Sequence, residues 1–177
     1  MKDEDRIEEL ILKNGEKHQK ILDVGCGDAD LLIKIAERNE SAELWCVDKH
    51  AEYARLNVKI KGYSSRIKCI SAKAEDIPLE DRFFDFVYSI RSLHEFSDPV
   101  RSFKEFKRLL TQGGEMMIID WKYGTKTIAF WERYYKMEEL IEFARKAGYD
   151  FKDVKTDDVG RFNILSYKSR NSRNLII

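Results

Sequence analysis

The sequence predicts an α/β fold, a doubly wound, mostly parallel sheet of about seven strands with helices on both faces. Two observations carry this expectation. Short apolar runs alternate repeatedly with segments of helical periodicity, the pattern of parallel strands joined by crossover helices. The last two strand-like runs are joined by a link too short for a parallel crossover, so the last strand is expected to be antiparallel.

The elements follow in order. Residues 3–14 read as an amphipathic helix with Ile7, Leu10 and Ile11 on one face. Lys20–Val24 is a first strand, followed by Gly25-Cys26-Gly27 and a helix carrying Leu31, Leu32, Ile35 and Ala36. Glu43–Val47 is a second strand, with a helix after it over about 51–61, and Arg66–Ile70 is a third. Phe83–Ile90 is a fourth strand, and Pro99 suits the first turn of the helix over about 98–110. Gly113-Gly114 is expected to turn the chain into Glu115–Asp120, a fifth strand. Met137–Ala147 is a helix stopped by Gly148. Asp150–Lys155 and Phe162–Tyr167 form the final pair, linked through Asp157, Asp158 and Gly160.

The chain has 177 residues with no dividing linker, repeat or low-complexity stretch. One domain is expected over 1–177, with an N-terminal helix at 1–17, a core at 18–168 and a tail at 169–177. Lys plus Arg and Asp plus Glu both number 32, so the charges cancel, which argues against a broad nucleic-acid surface. No run approaches the roughly 20 apolar residues of a membrane span, so no membrane partner is expected. Cys26, Cys46 and Cys69 are odd in number, far apart and form no CxxC pair. They read as reduced thiols in a cytoplasmic protein, with no metal site.

Chemistry concentrates in Ile21-Leu22-Asp23-Val24-Gly25-Cys26-Gly27-Asp28. Two glycines one residue apart, between a buried strand and a helix, let a ligand lie against bare backbone. The dinucleotide fingerprint asks for a third glycine at position 30, where the chain has Asp30. Asp28 and Asp30 near a helix N-terminus repel a pyrophosphate and tolerate a cation. Asp23, aimed at the loop, suits an ammonium or sulfonium group. Asp48 ends the second strand 21 residues after Gly27, the place of an acid that accepts both ribose hydroxyls.

These motifs resemble the class I S-adenosylmethionine-dependent methyltransferases, whose fold is Rossmann-like. The resemblance covers roughly residues 18–168 and runs through four motifs in order: Ile21–Asp28, with Asp30 where a glycine-like residue is common; Trp45–Asp48; Ala72–Pro78 with Phe83–Val87; and Arg108–Gly114. It implies S-adenosylmethionine as cofactor and in-line methyl transfer to an acceptor. It places Asp23, Gly25, Cys26 and Gly27 at the methionine part, Asp48 with Lys49 at the ribose, Ala74 and Glu75 at the adenine edge, and Ile90 beside the cofactor. Many relatives have Asp where this chain has Lys73, and a lysine accepts no hydrogen bond; either Asp76 takes that role or the contact is missing.

Held at the right distance, an activated methyl asks little of the protein, and a base only if the acceptor must lose a proton. No catalytic residue is assigned, but His94, in a loop bordering the expected crevice, is the best candidate base. His94, Trp121 and Tyr123 are candidates for substrate contact, the last two within an aromatic group with Phe130, Trp131, Tyr134 and Tyr135. Each feature also has a plain structural reading: a tight turn for the glycines, a helix cap for Asp48, a core histidine, an aromatic lid or core. Neutral charge and the absence of an Asn-Pro-Pro-Tyr motif at Ser89-Ile90-Arg91-Ser92 favour a small-molecule acceptor. A non-catalytic cofactor-binding module and a nicotinamide-dependent oxidoreductase stand as alternatives.

Overall fold

The computed structural model describes residues 2–126 and 132–169. Seven strands form one sheet in the order β3-β2-β1-β4-β5-β7-β6. They are β1 (Lys20–Val24), β2 (Glu43–Asp48), β3 (Ile67–Ser71), β4 (Phe84–Ile90), β5 (Leu110–Trp121), β6 (Val154–Val159) and β7 (Phe162–Lys168). β1 to β5 pair in parallel, while β7 runs antiparallel to both β5 and β6. The helices are α1 (Asp3–Gly15), α2 (Asp30–Arg38), α3 (Glu52–Ile60), α4 (Pro99–Leu109) and α5 (Met137–Lys146).

Side-chain alternation along the strands builds two cores. On β5, Met117 and Ile119 join one cluster, with Ile7 and Ile11 of α1, Leu32 and Ile35 of α2, and Ala54 and Val58 of α3. Met116 and Ile118 point the other way, to Phe103 and Phe106 of α4 and Leu140 and Ala144 of α5. Each fully buried side chain of this size contributes about 1.5–3 kcal/mol. The pleat alternation of a sheet covered on both sides thus places every helix.

Three boundaries differ from the sequence reading, each for a physical reason. Asp150–Lys155 is not a strand: a 3-10 turn occupies Phe151–Asp153 and the strand is Val154–Val159. As an edge strand it tolerates exposed Asp157 and Asp158, so it lacks the apolar signature used to find it. The turn is instead at Gly160 and Arg161. There Gly160 has φ +54, and a Cβ would collide with the Asp3 carboxylate, which accepts from the Arg161 N–H at 3.2 Å. Gly113, with φ +82, does not turn the chain into β5. It lies within that strand, at an irregularity where Phe84 pairs with Leu110 but Phe86 with Glu115. Finally, the position that needs a glycine-like backbone is Ala29, with φ +61 at the start of α2; Asp30 is already helical. The tail beyond 169 lies outside the described residues.

The turn from α2 to β2 hangs on buried Asn39, whose Nδ2 donates to the carbonyls of Gly15 at 2.9 Å and His18 at 2.8 Å. Asn39→Ala leaves both acceptors unpaired in a site closed to water. It should cost about 2 kcal/mol and lower Tm by roughly 4–8 °C in a thermal melt.

Candidate active site

Because β1 to β5 are parallel, their carboxyl ends share one edge. The chain winds from β1 outward to β3, then crosses back to β4 on the other side of β1. Helices leave β1 and β4 in opposite directions there, and a crevice opens at the strand ends. A cavity of about 540 Å³ fills it. Asp23, Gly25, Cys26, Gly27, Asp48, Lys49, Ala74, Glu75, Ile90, His94 and Trp121 all line it.

Asp23, one residue before the end of β1, is 2% exposed. Its Oδ2 accepts from the Tyr88 hydroxyl at 2.9 Å, while its Oδ1 has no partner among the described residues. Burial pushes its pKa up to about 7; the Tyr88 hydrogen bond works against that rise, and the charges of Asp48 and Asp28 add to it. Next to it the backbone must bend sharply, and Gly25 adopts φ +77 with its N–H on the Val47 carbonyl at 2.8 Å. A Cβ on Gly25 would lie 2.5 Å from Cβ of Ser92. What demands glycine there is thus the close approach of the loop after β4, whose Ser92 Oγ donates to the Gly25 carbonyl at 2.8 Å. Gly27, at φ +56, faces open space.

Asp48 does two jobs on protein alone: Oδ2 accepts from Gly27 N–H at 3.0 Å and Oδ1 from His50 N–H at 2.8 Å. The glycine loop and the turn into α3 are thereby held in one register. Lys49 reaches across the mouth to Glu95 at 3.1 Å, an exposed ion pair of small energetic weight. Glu75 is buried, with Oε1 accepting from Asp98 N–H at 3.0 Å. Lys73 lines the cavity, whereas Asp76 is exposed and outside it.

His94 lies in a 3-10 turn after β4, its side chain 4% exposed. Nδ1 is 2.8 Å from Oδ1 of Asp120, and the same carboxylate accepts from His94 N–H at 2.8 Å. Nε2 is 3.5 Å from Glu132, and the ring meets Tyr134 edge-on at 5.0 Å. Burial disfavours the charged ring, but the Asp120 hydrogen bond and charge, with Glu132 and Glu95 beyond, hold its pKa above the ordinary value. Asp120 and Glu132 escaped the sequence reading. Asp120 carries the same signal as Asp48, an acid closing a buried strand at the ligand edge; Glu132 has no such signal.

Tyr123 lies outside the cavity lining. β5 stops at Trp121, and the chain turns at Gly124 with φ +80, leaving Tyr123 65% exposed under the Lys136 ammonium. Of the other aromatics, Tyr135 packs on Phe143 at 5.0 Å, while Phe130 and Trp131 lie outside the described residues.

Residues 22–118 match the family model described as a methyltransferase domain, and the chain belongs to that family. It is 31% identical over 149 residues to a 2-methyl-6-phytyl-1,4-hydroquinone methyltransferase of Oryza sativa, covering 80% of this chain and 41% of that protein. It is 34% identical over 110 residues to a malonyl-acyl-carrier-protein O-methyltransferase of Geobacter sulfurreducens, covering 62% and 41%. The chain thus spans about two fifths of the length of these curated relatives. A SAM-dependent methyltransferase from Aquifex aeolicus has the same fold, with TM-score 0.77, 23% identity and coverage of 91% and 88%. The cyclase SpnF does too, with TM-score 0.81, 19% identity and coverage of 94% and 80%.

Asp48→Ala should weaken S-adenosylmethionine binding by about 1.5–3 kcal/mol and, by freeing two N–H groups, cost about 1 kcal/mol of stability. Calorimetry and a denaturant titration measure the two separately. Asp23 sets a pH dependence. Its folded pKa of about 7 exceeds the ordinary 3.8, so folding stability from this group falls as pH rises through that window. Affinity for a cationic ligand does the reverse, strengthening as pH rises towards 7 and levelling above it. Tyr88→Phe removes the hydrogen bond that lowers the Asp23 pKa, so the midpoint of a binding titration against pH should move upward.

Proposed function

We propose that this chain is an S-adenosylmethionine-dependent methyltransferase that modifies a small organic acceptor. The observation that carries it is the buried Asp23 oxygen without a partner at the floor of the cavity. Such a group is costly to bury unless a ligand answers it, and an ammonium beside a sulfonium does so. Gly25, Cys26 and Gly27 would hold the methionine part against bare backbone. Asp48, its lone pairs only partly used, would take the ribose hydroxyls beside Lys49. Ala74 and Glu75 would border the adenine, and Ile90 would supply an apolar wall.

The cofactor brings a methyl group already activated by its sulfonium. What remains for the protein is to orient the acceptor, exclude water and remove a proton where the acceptor carries one. His94 fits the last task. Asp120 fixes Nδ1 as the protonated nitrogen, which leaves Nε2, beside Glu132 on the cavity wall, free to accept a proton. Trp121 and Phe96 form the apolar side of the acceptor space. That lining, with a relative acting on a hydroquinone, favours an uncharged acceptor with an ionisable hydroxyl. Free thiols and apolar cysteine surroundings support a cytoplasmic setting.

Calorimetry with S-adenosylmethionine tests the cofactor, and transfer of labelled methyl to a quinol panel tests the reaction. Absence of binding by folded protein refutes the reading. His94→Gln should lower turnover by about 10²–10⁴-fold with cofactor affinity unchanged. The wild-type rate should rise with pH through a midpoint above 6.5, and Asp120→Asn should move that midpoint down.

A further inference from the structure

α3 carries an outward face that the fold leaves without a partner. Its inner side is Ala54 and Val58, both buried. Its outer side shows Tyr53 at 65%, Leu56 at 58% and Ile60 at 72% exposure. Spacings of three and four residues place these three in one stripe along the helix. Single exposed apolar side chains are ordinary on a protein surface, but an aligned stripe of three on nine residues marks a contact surface.

The flanks of the stripe identify the partner. Arg55 and Lys59 border it on one side and Lys61 on the other, and Glu52 is the one acid on the helix. Lys59 and Lys61 have no ion pair among the described residues; Arg55 is engaged by the hydroxyl of Ser71 at 2.6 Å. An apolar ridge between basic borders is the pattern of a helix lying in a lipid interface. The aliphatic stems rest on the acyl boundary and the ammonium groups reach anionic headgroups. Tyrosine suits the same depth. A second copy is the poorer fit, because a two-fold contact of α3 with itself brings Arg55, Lys59 and Lys61 against their own counterparts.

We propose that the α3 face docks this protein onto an anionic lipid surface. The expectation of no membrane partner rested on the lack of a spanning segment, and a helix lying in the interface needs none. The helix is tied to the rim of the cavity: Asn57 beside the stripe donates to the Asp28 carbonyl at 3.0 Å, and Asp48 holds the turn into α3. A docked α3 thus brings that rim towards the bilayer, where a lipophilic acceptor resides. This last clause rests on the methyl-transfer reading; the docking itself does not.

Flotation of the full chain with vesicles tests it without any activity assay. The protein should float with phosphatidylcholine–phosphatidylglycerol vesicles, stay behind with phosphatidylcholine alone, and be released by salt. Lys59→Glu with Lys61→Glu, and separately Leu56→Ser with Ile60→Ser, should each cut the bound fraction by at least about tenfold. Circular dichroism and S-adenosylmethionine affinity should stay unchanged in both. Failure to float with anionic vesicles overturns the proposal, as does flotation that neither variant weakens. A concentration-dependent dimer abolished by Leu56→Ser with Ile60→Ser would also overturn it and assign the stripe to a second copy.

Discussion

A carboxylate closed off from water at the end of a central strand raises the free energy of the fold unless something answers its charge. Asp23 is in that position, with Tyr88 satisfying one oxygen and nothing among the described residues satisfying the other. Its surroundings follow from this constraint. Gly25 bends the chain over it, Ser92 binds that bend from the neighbouring loop, and Asp48 fixes the far end of the turn. Three acids, Asp23, Asp28 and Asp48, face one crevice, and their mutual repulsion helps hold the Asp23 proton. Such an arrangement stores unfavourable electrostatics in the free protein and releases it to a cation.

The opposite wall solves a different problem. His94 is nearly as buried as Asp23, but Asp120 accepts from both its ring and its backbone, so the imidazole has one orientation. The two walls carry opposite pKa logic. Desolvation dominates at Asp23, whereas at His94 it is outweighed by neighbouring carboxylates. Asp23 therefore titrates far nearer neutrality than a free carboxylate, and His94 above a free imidazole, which suits a site proposed to move a proton beside a positive charge.

Where sequence was informative, a local rule carried the information. Asp23, Gly25, Gly27 and Asp48 belong to one strand–turn–helix unit and the strand beside it, and period and spacing alone locate them. His94 was visible as a titratable residue in a loop at the right edge. Asp120 needed the realisation that strand ends converge, and Glu132 is placed by tertiary packing that no spacing encodes. Ala29 was misread because a glycine-free sequence hides a left-handed backbone angle, and the count was anchored on Asp30. β6 was misplaced because an edge strand need not alternate. Tyr123 lies outside the cavity because the pleat that aims Trp121 inward ends with the strand.

The contact between Asp3 and the β6–β7 turn joins residues 158 positions apart. Closing so long a loop is entropically costly, and it gains nothing until both partners exist. α1 also packs on α2, close in sequence, where Lys34 pairs with Glu8 and Arg38 with Glu9, so the clasp to the β6–β7 turn is the long-range part of its docking. Ile7 and Ile11 of that helix end fully buried. A contact of that span ties the first helix to the last hairpin of the described fold, and its loop-closure cost places it among the contacts that slow folding rather than start it.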